Sequence, residues 1–163
     1  MKAVTVRELR KALNDHSRDE LVEICLRLSK FKKENKELLT YVLFESSYEE
    51  GYIENVKEEI DMQFDAINTR TFYYIKKSVR KILRTVKKFI RYSKNKETEI
   101  TLLIYFCEKL LEVKPSIKKN RLLTNLYIRE HNSIEKKISK LHEDLQLDFQ
   151  NMLEDLAEKE SDF

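Results

Sequence analysis

Leu102-Leu-Ile-Tyr-Phe-Cys107 is the stretch whose reading decides the fold. It carries no charged residue and no turn former. Successive helix positions are rotated by roughly 100°, so an uninterrupted run of this length places apolar side chains on every face. Such a helix has to be enclosed by others. The apolar residues around it, Ile100, Leu103, Cys107, Leu110 and Leu111, keep the helical period. The spacing therefore predicts a central helix over 97–113 inside an all-α core.

Working outward gives more helices on both sides. Residues 70–93 place Phe72, Ile75, Val79, Ile82, Leu83, Val86 and Ile90 on one face. Residues 47–68 do the same with Ile53, Val56, Ile60, Phe64 and Ile67, after a capping box at Ser47-Tyr-Glu-Glu50. Two further boxes, Thr5-Val-Arg-Glu8 and Ser17-Arg-Asp-Glu20, predict short helices near 5–14 and 17–31, and a third short helix is read near 34–45. Beyond the central helix, Pro115 closes it and Ser116 can cap the next. From 116 to 159 the pattern is helical throughout. It reads as one helix with a stripe at Ile134, Ile138, Leu141, Leu145, Phe149, Met152 and Leu156. It reads equally as two helices broken near His131, because Asn132-Ser-Ile-Glu135 forms an internal capping box.

Composition supports the same class. The 163 residues include one Gly, Gly51, and one Pro, Pro115. A multi-stranded β fold needs more turn material than this. Gly-dependent phosphate cradles cannot be written with a single glycine. The expectation is one helical domain over 1–163, an irregular multi-helix bundle or short α–α superhelix of about seven helices. It comprises three short helices over 1–45, three longer antiparallel ones over 47–113, and a long or broken C-terminal helix over 116–159. Cys25 and Cys107 lie in apolar helical patterns and are expected to be buried, reduced thiols. No apolar leader or membrane-length run appears, so the expected location is cytoplasmic.

Charge is the informative feature. The formal net charge is only +3, but it is segregated along the chain. Residues 45–65 carry 1 basic and 8 acidic side chains, residues 66–96 carry 11 basic and none acidic, and residues 142–163 carry 1 basic and 8 acidic. On the helix over 70–93, Lys76, Lys77, Arg80, Lys81, Arg84, Lys87, Lys88 and Arg91 fall opposite the apolar stripe. Two readings stand. The arc is neutralised by the acidic helices, or it is an open surface for an acidic partner, nucleic acid or an anionic membrane.

No catalytic constellation can be written, so the reading is not an enzyme. The three histidines, His16, His131 and His142, form no metal-ligand spacing with Glu or Cys, and no metal or cofactor is expected. His131, between Tyr127 and Ile134, reads as a hydrogen-bonded core histidine. Glu54, Glu58, Asp61 and Asp65 share one helix face and read as a solvated stripe or as the partner of the basic helix.

Two resemblances follow from longer stretches. Thr5-Val-Arg-Glu-Leu-Arg-Lys-Ala-Leu13 with Asp19-Glu-Leu-Val-Glu-Ile-Cys-Leu-Arg-Leu28 resembles the two helices of a SAP-type DNA-binding module. The Gly-containing loop of such modules is replaced by Asn14-Asp-His-Ser17, and no DNA contacts carry over. Ser17 to Leu39 is similar to the start of an uncharacterised bacterial all-helical family. The segment from Val79 through Ser93-Lys-Asn-Lys-Glu to Leu111 resembles that family's paired central helices. The resemblance implies an all-α bacterial protein and supplies no site residues. The expected function is a non-enzymatic scaffold or protein-interaction module with an unidentified protein partner. The alternatives are a nucleic-acid-associated protein using the basic arc, and a self-associating protein pairing through the stripe from Ile134 to Leu156.

Overall fold

The computed structural model describes residues 1–162, and for 161 and 162 the backbone only. Among the described residues there are eight α-helices and no strand. The chain divides into two compact units, residues 1–44 and 45–163.

The first unit holds α1 (Val6–Asn14), α2 (Arg18–Phe31) and α3 (Lys33–Thr40). Both predicted capping boxes form. Glu8 donates its N–H to Thr5 Oγ1 at 3.3 Å while its carboxylate accepts the Thr5 N–H at 2.8 Å. Ser17 and Glu20 repeat the arrangement with the same distances. Lys32 turns the chain in an extended conformation, and the Asn35 side-chain amide donates to the Leu28 carbonyl at 2.9 Å. None of the three helices buries a residue. Cys25 is accordingly exposed, which corrects the expectation of a buried thiol: α2 has no second apolar layer to lie under. The expected helix over 34–45 ends at Thr40 and continues as one wider π-helical turn, Tyr41–Glu45.

The second unit contains α4 (Glu49–Asp65), α5 (Phe72–Ser93), α6 (Lys96–Glu112), α7 (Arg121–Ile138) and α8 (Glu143–Asp162). As predicted, α6 is the centre. It packs against α4, α5, α7 and α8, and Leu102, Leu103, Ile104, Phe106 and Cys107 are all nearly inaccessible. Cross-links give the directions. Tyr52 near the start of α4 donates to the Phe89 carbonyl near the end of α5 at 2.9 Å, so those helices are antiparallel. Glu49 accepts from Ser93 and Thr98 where α5 ends and α6 begins. Lys137 late in α7 meets Glu99 early in α6 at 3.0 Å, so α7 runs against α6 and alongside α5. Lys159 of α8 meets Glu108 of α6 at 2.8 Å.

Three boundaries differ from the sequence reading. Ser47 does not cap α4, because Tyr48 donates its N–H back to the Glu45 carbonyl and the helix starts at Glu49. Ser116 caps only a short 3₁₀ turn, Ile117–Lys119. Asn120 then starts α7 by accepting from the N–H groups of both Leu122 and Leu123. The C-terminal segment is two helices, but the break falls at 139–142 rather than at His131. A break at His131 would pull Tyr127, Glu130 and Ile134 off one buried stripe. After Ile138 the chain can turn in solvent, where Ser139 donates to the Lys136 carbonyl and His142 Nδ1 accepts the Asp144 N–H. Of the stripe read from Ile134 to Leu156, Ile134, Ile138, Phe149 and Leu156 are buried within the chain, Leu141 and Leu145 are half-buried, and Met152 is exposed.

Two predictions follow. Lys94 closes α5 in the left-handed region, φ 57°, where a side chain is strained and glycine is not. Lys94→Gly should raise stability by about 1 kcal/mol in urea unfolding. Tyr105 donates to both Asp61 carboxylate oxygens, at 2.8 and 2.7 Å, and burial together with that hydrogen bond pushes its phenol up to about 12. The unfolded phenol ionises near 10 and so holds fewer protons between those values. Stability should be complete below pH 10 and fall as pH rises toward 12, by a component that Tyr105→Phe removes. Urea midpoints of both proteins across that range check it.

Candidate functional site

The basic residues of α5 stay together because its apolar residues recur with the helical period. Ile75, Val79, Ile82, Leu83, Val86 and Ile90 turn toward α4 and α6, which carries the cations to the other side. Lys77, Arg80, Lys81, Arg84, Lys87 and Arg91 are exposed, and Lys76 and Lys88 are half-buried. The structure therefore brings all eight predicted residues onto one helix side. It does not aim all of them at one place.

Between α5 and α7 lies an open groove of about 940 Å³. Lys76, Lys77, Arg80, Arg84 and Lys87 line it from α5, and Arg129 lines it from α7. Leu83 and Leu126 form its apolar floor, and Tyr73, Leu122 and Asn125 complete the walls. Lys81, Lys88 and Arg91 lie outside the groove lining. Lys88 instead sits over the Phe89 ring, 4.7 Å from its centroid.

One carboxylate serves this groove. Glu130 of α7 is 2% exposed, with Lys87 Nζ 2.8 Å from one oxygen and Arg129 bonded to the other at 3.0 and 3.1 Å. Behind it lies Cys107, whose thiol is pushed well up by burial and, secondarily, by the Glu130 charge. Burial of this kind disfavours the thiolate, which is the nucleophilic form. Among the described residues, Lys76, Lys77, Arg80, Lys81, Arg84 and Arg91 have no carboxylate within ion-pair distance.

The acidic helices direct charge elsewhere. Glu54 pairs with Lys57 on its own helix, and Asp61 binds Tyr105 and Lys109 of α6. The stripe of Glu54, Glu58, Asp61 and Asp65 is therefore partly tied to α6. In α8, Asp144 meets His142, and Asp148, Glu154 and Asp155 are exposed. Among the described residues no group of three His, Cys, Asp or Glu could hold a metal ion. No helix is long and apolar enough to cross a membrane. His131 is half-buried against the Tyr127 ring, with Nδ1 a long 3.8 Å from Glu135.

Sequence reasoning found the α5 wall and missed the α7 wall. The available signal was Glu130 itself, a carboxylate on the apolar stripe of Leu123, Leu126, Tyr127, Ile134 and Ile138. A charge in such a position needs a buried partner, and the nearest unassigned cations were those of α5.

No family model, curated protein or solved structure matches the chain.

The geometry separates two kinds of groove cation. Lys87→Ala leaves the buried Glu130 carboxylate with Arg129 alone and should lower stability by about 2 kcal/mol. Arg80→Ala, which removes an exposed cation without a carboxylate partner, should change it by less than about 0.5 kcal/mol. Urea denaturation of the two variants tests the contrast.

Proposed function

We propose that this protein is a non-enzymatic interaction module whose working surface is the basic groove between α5 and α7. The single observation that carries the reading is the placement of Lys76, Lys77, Arg80 and Arg84. These are four cations on one wall with no carboxylate partner among the described residues, while the one acidic side chain at the groove is consumed by Lys87 and Arg129. Like charges held one helical turn apart repel, and an anionic partner relieves that repulsion while releasing counterions. The free thiols Cys25 and Cys107 support a cytoplasmic location within this reading. That 17–39 and 79–111 resemble an uncharacterised bacterial helical family belongs to the same proposal and adds no residue to the groove.

Retention on an immobilised sulfated polysaccharide tests the surface. The double variant Arg80→Glu/Arg84→Glu should elute at markedly lower salt than the parent. Lys136→Glu/Lys140→Glu changes net charge equally on exposed positions outside the groove lining. It should elute close to the parent. Equal shifts for both pairs would mean that net charge, not the groove, governs binding, and would defeat the proposal.

A further inference from the structure

We propose that the occupant of the α5–α7 groove is single-stranded nucleic acid, held through its phosphates by the α5 cations and through one base by Tyr73. The inference rests on the reading of the groove as an anion-binding surface and names its ligand. Three features of the groove select this ligand over other polyanions.

The first is linear order. Lys76, Arg80 and Arg84 follow one another at intervals of four residues along α5, with Lys77 beside them. An α-helix rises 1.5 Å per residue, so they form a row about 12 Å long with roughly one cation per turn. A row of that kind tracks a chain with regularly repeated charge. Arg129 faces it from α7 but is held by Glu130, so the uncompensated charge lies along the α5 wall of a concavity. A flat anionic bilayer meets an exposed ridge more readily than a concave groove.

The second is an aromatic at the groove. Tyr73 lines it at the N-terminal end of the cation row and is 65% exposed. Its ring is braced edge-on by Tyr74, with centroids 5.4 Å apart. An accessible, braced ring beside a basic track is the combination that holds unpaired bases, since every base offers a stacking face. A duplex keeps its bases stacked on each other and leaves that ring unused.

The third is the floor. An acidic amphipathic helix would need apolar pockets for anchors at its i, i+3, i+4 and i+7 positions. Leu83 and Leu126 are already covered, at 6% and 7% exposure, and Leu122 is the single well-exposed aliphatic of the lining. The accessible groups are cations and an aromatic ring. They match phosphate and base better than a row of apolar side chains. Binding of this kind reads backbone and stacking, so it should be tolerant of sequence.

The experiment is fluorescence anisotropy of the full chain with labelled RNA and DNA strands of about 12 nucleotides, a duplex of equal length, and labelled polyglutamate. Single strands should bind at least about 10-fold tighter than the duplex or polyglutamate. If about four phosphates are neutralised, affinity should fall roughly 50-fold between about 50 and 200 mM salt. Arg80→Glu/Arg84→Glu should abolish binding with helicity intact by circular dichroism. Tyr73→Ala should weaken single-strand binding about 10-fold and leave the salt dependence unchanged, the signature of lost stacking rather than lost charge. Polyglutamate or duplex binding as tightly as the strands, or indifference to Tyr73→Ala, would overturn this inference while leaving the anion groove standing. Failure of every polyanion, the sulfated polysaccharide included, would overturn both.

Discussion

The second unit depends on the need to enclose α6. With Leu102, Leu103, Ile104, Phe106 and Cys107 all inaccessible, most of that helix's circumference is closed to water, while Thr101, Tyr105, Glu108 and Glu112 form the strip that reaches it. Fully burying a residue such as Leu or Phe is worth about 1.5–3 kcal/mol relative to leaving it exposed. Baring even one face of α6 would therefore remove a large part of the few kcal/mol by which a domain is stable. The four long helices around it exist to close that surface, and their amphipathic stripes are cut to fit it. The connections fix the rest. The Lys94-Asn95 link turns α5 straight into α6, and Asn120 starts α7 soon after α6 ends, so α5 and α7 run in the same direction on neighbouring flanks. The groove between them results from enclosing a cylinder with cylinders.

The charge pattern follows from that architecture. Once the apolar stripe of α5 is committed to α4 and α6, its polar arc has to look away from the core. Leaving it without carboxylates is not prohibitive. Two unit charges about 6 Å apart in water repel by roughly 0.7 kcal/mol, and physiological salt reduces this further. The total is small enough for the packing of α6 to carry. Pairing the arc internally would have needed carboxylates on the facing side of α7, and there the chain has Leu122, Asn125, Leu126 and Arg129 instead. The single carboxylate it does supply, Glu130, lies beneath the surface.

The period of α5, the all-round apolar run of α6 and the two N-terminal capping boxes were legible because each is a local property, set by residues three or four apart. The eight-cation arc was legible for the same reason. What escaped was non-local. The partner of Lys87 lies 43 positions further along the chain. The break after Ile138 could not be told from one at His131 by cap chemistry, since Asn132-Ser-Ile-Glu135 has the better box. Burial of Glu130 and Ile134 between α5, α6 and α8 overrode it. Ser47 lost its cap to a π-helical turn that no spacing rule announces. Cys25 lies in an apolar pattern that finds no second layer. The apolar residues of α1 and α2, Leu9, Leu13, Val22, Leu26 and Leu28, are exposed with it. Periodicity reports that a helix has an apolar face. It does not report whether anything covers that face.

Glu130 connects the core to the groove. A buried ion pair contributes little net stability, because desolvating both charges offsets most of their attraction. Its value lies in position. The carboxylate holds Lys87 of α5 with one oxygen and Arg129 of α7 with the other, so one buried charge anchors a cation on each wall. It also consumes the attraction of those two for any ligand, leaving Lys76, Lys77, Arg80 and Arg84 as the cations with field to spare. The groove is thereby divided along its length. One end is internally compensated and fixed. The other is uncompensated and carries the exposed aromatic pair. A polyanion entering the groove gains most at the Tyr73 end and least at Glu130, which gives a surface of like charges a direction.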